Sequence, residues 1–256
     1  MRKNILIINL KGGASKTTNA SILASYLPEA TLIEIDKINQ SDTRINSLGY
    51  YNSVQIDFNN ETSEKFFDFE NLLIGDGIKI IDVGAVKLEI FHNAMETAAL
   101  YDLIDLLIIP CMDGRDDFLV ALDYLETIKG QIHAKKIMFS FNRYNDHEYD
   151  NVKEQFDNFF VNNSLIKKNF SIDLENEKNF YVLKDSKAVK NARKLGVTVR
   201  SLAEKDVQDI TQRQRAETDA EKRLELTKER SLVLNAQKFY NDFIIPMIEK
   251  IGSKLN

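Results

Sequence analysis

Residues 11–18 read Lys11-Gly12-Gly13-Ala14-Ser15-Lys16-Thr17-Thr18 and follow directly on an apolar run. That run, residues 4–10, predicts a buried strand, and residues 19–27 predict a helix. A glycine-bearing loop between a strand and a helix points backbone N–H groups and the helix N-terminus at an anion. Lys16 would then neutralise phosphate charge, and the Thr17 hydroxyl would bind Mg²⁺. The stretch therefore predicts a phosphate-binding loop.

The loop departs from the common pattern G-x-x-x-x-G-K-[ST]. Gly12 stands four residues before Lys16, and Ser15 occupies the place of the glycine that precedes the lysine. With the extra lysine at Lys11, the loop instead resembles the deviant Walker A box of the ParA/MinD family of ATPases, K-G-G-x-G-K-[ST], apart from Ser15. A residue with a Cβ at this place must avoid positive φ or bear strain. The competing interpretation is a chance Gly-Gly turn before a helix.

The resemblance implies an ATPase that uses ATP and Mg²⁺, with Lys11, Lys16 and Asp36 in catalytic roles. In the family, the lysine that matches Lys11 crosses a dimer interface to the partner's phosphates. Two ATP molecules are then held between two subunits until hydrolysis. The alternative for Lys11 is a phosphate contact within its own subunit, or a solvated lysine. The loop residues implied to bind the nucleotide are Lys11, Gly12, Gly13, Ala14, Ser15, Lys16, Thr17 and Thr18.

The composition limits the remaining possibilities. A chain of 256 residues with 43% hydrophobic content forms one large domain or a domain with an appendage. Because Met1 leads almost directly into the first strand, we expect no signal peptide and no preceding DNA-binding domain. The single Cys111 predicts a reducing, cytoplasmic compartment and counts against an iron–sulfur reductase. The formal net charge of −5 argues against uniform coating of nucleic acid but allows a local basic patch.

The apolar runs predict strands that alternate with helices. Several runs are nearly continuous Ile, Leu and Val, as expected for parallel strands covered on both faces. We therefore predict an α/β fold, with a doubly wound, mostly parallel sheet of the P-loop NTPase type and a helical C-terminal region. Residues 1–200 would form the ATPase domain, and residues 201–256 a helical extension that packs on it or projects from it. The predicted strands are 4–10, 31–36, 78–83, 103–110, 136–141 and 180–183, the clearest helix is 116–129, and residues 42–70 show no clear pattern.

Two carboxylates follow apolar runs at the places where parallel strands end. Glu34-Ile35-Asp36 resembles the family's A′ box, D-x-D, in which the second acid, here Asp36, orients the attacking water and helps to hold the metal's water shell. Asp82 resembles a Walker B carboxylate, which holds Mg²⁺ through water. With Thr17, these two residues form the predicted metal site. The alternatives are a capping role for Asp36 and an ordinary strand-end position for Asp82.

A second group of residues resembles the family's base-binding elements. Asn142 follows an apolar strand and is followed by Arg143. Its amide offers both the donor and the acceptor that an adenine edge requires. Residues 180–186 occupy the place of the family's last strand and following loop, so Leu183 and Asp185 are expected to pack on the base. The alternative for Asn142 is a turn-forming role.

Basic residues concentrate between residues 184 and 200, against the single acid Asp185. Lys187, Lys190 and Lys194 are spaced i, i+3, i+7 and would share one face of a helix. No aromatic residue or base-reading motif interleaves them, so DNA binding would be independent of sequence. The alternative is a solvated helix face. The predicted DNA-binding residues are Lys187, Lys190, Arg193, Lys194 and Arg200.

Two C-terminal segments are candidate partner surfaces. Residues 239–251 are apolar enough for a membrane-binding helix, but Pro246 interrupts them, and Asp242 and Glu249 weaken attraction to anionic lipid. We therefore expect a terminal helix that packs in the core, and no membrane partner. Residues 211–230 are dense in both charge signs and predict an exposed helix with i,i+4 ion pairs, with a partner-docking arm as the alternative.

The resemblance is closest to the short ParA-type plasmid partition ATPases. It implies a nucleoid-associated protein that dimerises on ATP, binds DNA non-specifically and segregates or positions a plasmid or chromosomal cargo. An adaptor, a centromere-binding protein, would stimulate its slow ATP hydrolysis. The alternatives are a MinD-like positioning ATPase at a membrane and an ATP-dependent metabolic synthetase on the same fold. The three histidines stand in no recognisable catalytic constellation, which counts against the synthetase.

Overall fold

The computed structural model describes residues 2–27, 29–35, 51–57 and 63–255. Seven strands form one sheet at its centre. They are β1 (Lys3–Ile7), β2 (Thr31–Ile35), β3 (Asn52–Gln55), β4 (Ile78–Val83), β5 (Leu106–Cys111), β6 (Ile137–Tyr144) and β7 (Phe180–Lys184). The strand order is β3-β2-β4-β1-β5-β6-β7, and every pairing among the described strands is parallel.

Helices fill most of the connections and the C-terminal part of the chain. They are α1 (Lys16–Tyr26), α2 (Ser63–Ile74), α3 (Leu88–Thr97), α4 (Arg115–Thr127), α5 (Val152–Gln155), α6 (Asp157–Val161), α7 (Asn163–Phe170), α8 (Lys187–Leu195), α9 (Val199–Ala203), α10 (Val207–Ala216), α11 (Ala220–Phe239) and α12 (Ile245–Leu255). A π-helical turn, Tyr240–Ile244, joins the last two.

Both faces of the sheet are covered, as its continuous apolar strands require. Successive side chains of a strand point to opposite faces. Leu6 of β1 belongs to a core shared with α2, α3 and α4, whereas Ile5 and Ile7 belong to a core shared with α1, α8 and α12. All three side chains are fully buried. The predicted α/β fold with a doubly wound parallel sheet is confirmed.

The position of β1 determines where a ligand can bind. This strand lies between β4 and β5. The chain leaves β1 toward β2 on one side of the sheet, and it leaves β4 toward β5 on the other side. Neighbouring strands whose connections leave in opposite directions open a crevice at their carboxyl ends, where ligands bind in folds of this kind. The loop after β1 and the end of β4 therefore meet at one crevice.

The strand bounds differ from the sequence prediction most at four strands. β1 ends at Ile7, three residues before the predicted end at residue 10. β5 begins at Leu106 rather than at residue 103, because Leu100–Leu103 forms a 3₁₀ turn. β6 continues to Tyr144, three residues beyond the predicted end. β3 lies within residues 42–70, for which the sequence predicts no element. Its two inner residues are half-buried and its two ends are exposed, so no apolar run marks this edge strand.

The C-terminal helices partly pack on the sheet. Met247 and Ile251 of α12 are buried in the core that contains α1, as expected for a core-packing terminal helix. Pro246 is the second residue of α12 and directly follows the π-helical turn, so the helix continues through the proline with a local π-helical adjustment. α10 and α11 contact each other and carry mostly exposed, charged side chains. Among the described helices, none combines the length and apolar character that a bilayer crossing demands. The division of the chain at residue 200 stays a prediction.

Candidate functional site

The loop of residues 8–15 joins β1 to α1 at the carboxyl edge of the sheet. β1 ends at Ile7 and α1 begins at Lys16, in the order that the sequence predicts. Asn9 fixes the start of the loop. Its amide donates to the Pro110 carbonyl of β5 at 2.5 Å and accepts from the backbone N–H of Lys11 at 2.8 Å. The loop is therefore fastened to a neighbouring strand, through a residue that the sequence pattern does not single out.

Ser15 takes the strained conformation rather than avoiding it. Its φ of 66° and ψ of 24° are left-handed, and Gly13 also has a positive φ of 79°. The Ser15 carbonyl accepts hydrogen bonds from the backbone N–H of Asn19 at 3.0 Å and from the Asn19 side chain at 2.8 Å. The loop therefore keeps its geometry despite the missing glycine, at a cost of about 1–2 kcal/mol for a left-handed residue with a Cβ. Gly12 and Gly13 are exposed, Ala14 is buried, and Thr17 and Thr18 are half-buried.

Lys16 lies buried across the loop. Its Nζ donates to the carbonyls of Asn9 at 3.0 Å and Lys11 at 2.9 Å. The ammonium group is thus already drawn to the oxygen atoms of the loop. A phosphate would attract it more strongly than these neutral carbonyls, because the attraction between opposite charges would add to the hydrogen bond. Lys16 is therefore placed to neutralise an anion held by the loop.

Lys11 forms an ion pair with Asp117 in the first turn of α4. The Lys11 side chain is 41% exposed, whereas that of Asp117 is 4% exposed. Asp117 also accepts a hydrogen bond from the backbone N–H of Met112 at 3.2 Å. The hydrogen bond to Asp117 raises the pKa of Lys11, so the ammonium stays charged. The sequence does not reveal this partner, which stands 106 residues away.

Of the three predicted metal ligands, the structure describes Asp82 and Thr17. Asp82 is buried at the carboxyl end of β4, in register with Ile7 of β1 and Glu34 of β2. Thr17 lies in the first turn of α1, and Asp36 falls outside the described residues. Across the described residues, no cluster of three or more His, Cys, Asp or Glu side chains could hold a metal by itself. Mg²⁺ commonly takes only one or two carboxylates together with water and substrate phosphates. Asp82 and Thr17 therefore fit a metal that arrives with a nucleotide.

An open cavity of about 300 Å³ lies beside the first turn of α1. This volume is at the lower end of the range for small-molecule sites, about 300–1,000 Å³. Ser15 and Thr18 form one wall. The structure thus brings the phosphate-binding loop and the predicted base-binding residues to one place. Those residues are Asn142, Arg143, Leu183 and Asp185, all of which line the cavity.

A buried polar network supports this cavity from below. The Asn19 amide donates to Asn142 Oδ1 at 2.9 Å. The Asn19 Oδ1 atom accepts from Ser140 Oγ at 2.8 Å and from the Tyr181 hydroxyl at 2.7 Å. Burial raises the pKa of Tyr181, so its hydroxyl remains a donor. The network ties α1 to β6 and β7, and the sequence singles out only Asn142 among its members.

Asn142 is engaged within the protein on both sides of its amide. Its Oδ1 accepts from Asn19 and lies 3.2 Å from Ser140 Oγ, and its Nδ2 donates to the backbone carbonyls of Ser140 at 2.8 Å and Cys111 at 3.4 Å. The side chain is also 98% shielded from solvent, with 2% exposed. An adenine contact would therefore have to replace one of these bonds. The adenine-reading role of Asn142 stays a prediction.

The predicted DNA-binding lysines lie on the exposed side of α8. Lys187, Lys190 and Lys194 are all exposed. Lys190 pairs with Asp185 at 2.7 Å. Within the part of the chain that the structure describes, Lys187 and Lys194 form no ion pair. These two ammonium groups are available to an anionic partner.

The two predicted DNA-binding arginines are placed otherwise. The Arg193 guanidinium donates from Nη2 to Thr18 Oγ1 at 2.8 Å and lines the cavity. Arg200 of α9 donates to the Ser25 carbonyl at 2.8 Å and to Glu204 at 2.6 Å. Both arginines are thus engaged with side chains or carbonyls of this chain, unlike Lys187 and Lys194. The sequence gives them the same role as the lysines because it shows charge but not direction.

Comparisons with known proteins support the fold. No family model and no curated protein matches the chain. A crystal structure from Borrelia burgdorferi B31, described as a plasmid partition protein bound to AMPPNP, is 14% identical, with a TM-score of 0.50 over 92% of this chain and 98% of that chain. Another plasmid partition protein from Borrelia burgdorferi is 15% identical, with a TM-score of 0.45 over 77% and 97% of the two chains. An ATP complex of a McdA variant from Cyanothece is 12% identical, with a TM-score of 0.48 over 93% and 96%. At this identity, the first likeness shows the shared fold.

Proposed function

We propose that this protein is an ATPase of the ParA type. The observation that carries the proposal is the loop after β1. The buried ammonium of Lys16 donates to backbone carbonyls of this loop, and the buried carboxylate of Asp82 lies beside it on the adjacent strand β4. A cation within a ring of backbone groups and a carboxylate at the same crevice are the two requirements for binding a nucleotide triphosphate with Mg²⁺. AMPPNP and ATP are also the ligands of two structural neighbours.

The roles of the residues follow from phosphoryl-transfer chemistry. Lys16 and the backbone N–H groups of the loop hold the β- and γ-phosphates, and Thr17 and Asp82 hold Mg²⁺ directly or through water. When bound, the metal neutralises charge that builds up on the phosphate oxygens. Asp36 orients the attacking water. Because this chemistry depends on positioning and charge, few residues suffice, and hydrolysis by the isolated protein is slow until a partner improves the geometry.

A second copy of the chain is the first partner that we propose. Lys11 stands at the edge of the loop and is 41% exposed, so it can reach a neighbouring molecule once it leaves Asp117. A cation supplied across the interface makes association depend on the γ-phosphate. Hydrolysis then ends the association. ATP thus sets how long two copies remain together.

We propose DNA as the surface that the dimer occupies. The ammonium groups of Lys187 and Lys194, which form no ion pair with any residue that the structure describes, lie on one helix of an otherwise acidic protein. They fit phosphate contacts that do not depend on base sequence. Met247 and Ile251 of α12 are buried, so this helix has no free apolar face for a lipid surface, and DNA is favoured over a membrane. The plasmid partition protein that shares this fold supports a cargo-positioning role. We further propose an adaptor protein that stimulates hydrolysis.

The test of the proposal is nucleotide binding and turnover by Lys16→Ala. Since the variant removes the only buried ammonium in the described part of the loop, we expect loss of measurable ATP binding by calorimetry and loss of phosphate release. Lys11→Ala is the matched control, because it removes a lysine from the same loop but leaves Lys16 in place. It should bind ATP nearly as the wild type does. ATP affinity unchanged in Lys16→Ala would refute the assigned role.

A further inference from the structure

Arg193 is exposed, like its neighbours on α8, but its guanidinium lines the cavity beside α1. Its Nη2 lies 2.8 Å from the Thr18 hydroxyl, and its side chain lines the cavity together with Ser15 and Thr18. Lys194, the next residue, lies outside the cavity lining and is exposed. Neighbouring basic residues of one helix therefore point to different surroundings. A single role for all the basic residues of α8 does not fit this geometry.

The charge around Arg193 favours an anion. Asp185 is the only carboxylate among the cavity-lining residues, and it pairs with Lys190 at 2.7 Å. In the described parts of the chain, no carboxylate pairs with Arg193, which donates instead to the neutral Thr18 hydroxyl. A guanidinium has five N–H donors in a fixed fork that matches phosphate oxygens. Arg193 therefore brings an uncompensated positive charge and free donors to the cavity.

The position along the site identifies which phosphate is within reach. Lys16 and Thr17 serve the β- and γ-phosphates in loops of this kind. The cavity continues from Thr18 toward Asn142 and Leu183, on the side predicted for the base. The α-phosphate is the group between the β-phosphate and the ribose. A guanidinium beside Thr18 therefore lies where the α-phosphate would be.

We propose that Arg193 binds the α-phosphate of the nucleotide and is not a DNA-binding residue. This inference rests on the proposed ATP-binding function. Arg193 would add to the nucleotide site a cation from α8, which lies 175 residues after Thr18 in the chain. The same helix carries Lys187 and Lys194, so a bound nucleotide would hold the DNA-facing helix against α1.

The test compares Arg193→Ala with Lys194→Ala, its exposed neighbour. Because ATP and ADP both contain the α-phosphate, Arg193→Ala should weaken binding of both by the same factor, about tenfold, in calorimetry with Mg²⁺. Lys194→Ala should leave both affinities unchanged. In a DNA titration over a range of salt concentrations, we expect Lys194→Ala and not Arg193→Ala to have an effect. Lys194→Ala should lower the salt dependence of binding, and Arg193→Ala should leave it unchanged.

Each other outcome contradicts the inference in an identifiable way. Arg193→Ala that binds ATP and ADP as the wild type does would overturn it. A loss confined to ATP would place Arg193 at the γ-phosphate and would also overturn the α-phosphate assignment. If the wild type binds neither nucleotide, the proposed ATPase function fails together with the inference. Normal wild-type binding with an unaffected Arg193→Ala removes the inference alone. Circular dichroism of both variants, which change exposed side chains, verifies that they are folded.

Discussion

Ser15 shows how a residue that breaks a sequence pattern can still keep the geometry. The pattern that the loop resembles has glycine at this place, and the structure has a serine with φ of 66°. The backbone therefore keeps the path that glycine would take. The left-handed conformation is held by the Ser15 carbonyl, which accepts two hydrogen bonds from Asn19. The departure from the pattern is thus one of strain rather than of shape.

Replacement of Ser15 tests that strain. Ser15→Gly removes the left-handed penalty of about 1–2 kcal/mol but adds freedom to the unfolded chain, so we expect a net gain of about 0.5 kcal/mol in the free energy of unfolding. Ser15→Val should instead lose stability, because a β-branched residue is worse still at positive φ. Urea denaturation with a common m-value measures both changes. A loss of stability in Ser15→Gly would show that the serine is not strained.

Among the elements, the contact of α1 with β6 and β7 depends on polar groups rather than on apolar packing alone. Asn19, Ser140, Asn142 and Tyr181 are each at most 2% exposed and bond to one another. Buried polar groups of this kind stabilise a structure only when all of them are paired. The network therefore holds the first turn of α1, and with it the phosphate-binding loop, in one position relative to the base side of the cavity.

Removal of Asn19 should be costly for this reason. Asn19→Ala leaves the Asn142 carbonyl oxygen, the Ser140 hydroxyl and the Tyr181 hydroxyl without their shared partner, and we expect a loss of about 1–3 kcal/mol in the free energy of unfolding. Tyr181→Phe removes only one bond and should lose less, about 0.5–1.5 kcal/mol. Chemical denaturation compares the two. Equal losses, or none, would contradict the central position of Asn19.

The exposed lysines of α8 lead to a separate prediction about the salt dependence of DNA binding. If Lys187 and Lys194 each contact one phosphate, the double variant Lys187→Ala, Lys194→Ala should reduce the slope of log K against log salt by about 0.9 for each lysine removed. Nucleotide affinity should not change. Binding to duplexes of unrelated sequence, followed by anisotropy at several salt concentrations, measures the slope. The matched control is Lys167→Ala, Lys168→Ala on α7, which should leave the slope as it is. An unchanged slope in the α8 variant would place the DNA surface elsewhere.

The extent to which the sequence predicted these elements follows from how local each signal is. The loop, β1 and α1 could be predicted because Lys11, Gly13 and Lys16 lie within six residues of one another. β3 could not, because an edge strand with half-buried residues has no apolar run. Lys11 and its partner are separated by 106 positions, and Asn19 and its network partners by 121 to 162, which no spacing rule reaches. Arg193 shows the same limit for direction, since its charge was visible in the sequence and the side of α8 that it faces was not.

In the whole molecule, the residues proposed to bind the nucleotide lie along one edge of the sheet. The loop after β1, the carboxylate of Asp82 and the cavity beside α1 lie at the carboxyl ends of the strands. Helix α8, which carries the proposed DNA-binding lysines, borders the same cavity through Arg193. α10 and α11 form a charged pair of helices with an open cleft of about 640 Å³ between them. Nucleotide, second subunit and DNA would therefore act on neighbouring surfaces of one domain.

In the proposed dimer, Lys11 would connect the nucleotide to the second subunit. Within one chain, the buried carboxylate of Asp117 holds it. To reach the phosphates of a partner, Lys11 must leave Asp117, so the two contacts compete. Asp117→Asn removes the charge that retains Lys11 and should allow association at a lower nucleotide concentration than the wild type needs.

Light scattering coupled to gel filtration, with Mg²⁺ and a non-hydrolysable ATP analogue, tests the central claim most directly. The wild type should change from the mass of one 29.4 kDa chain to that of two. Lys11→Ala should remain a single chain although it still binds the analogue in calorimetry. ADP should leave the wild type as a single chain. A wild type that stays monomeric with saturating analogue, or a Lys11→Ala variant that dimerises equally well, would contradict the account.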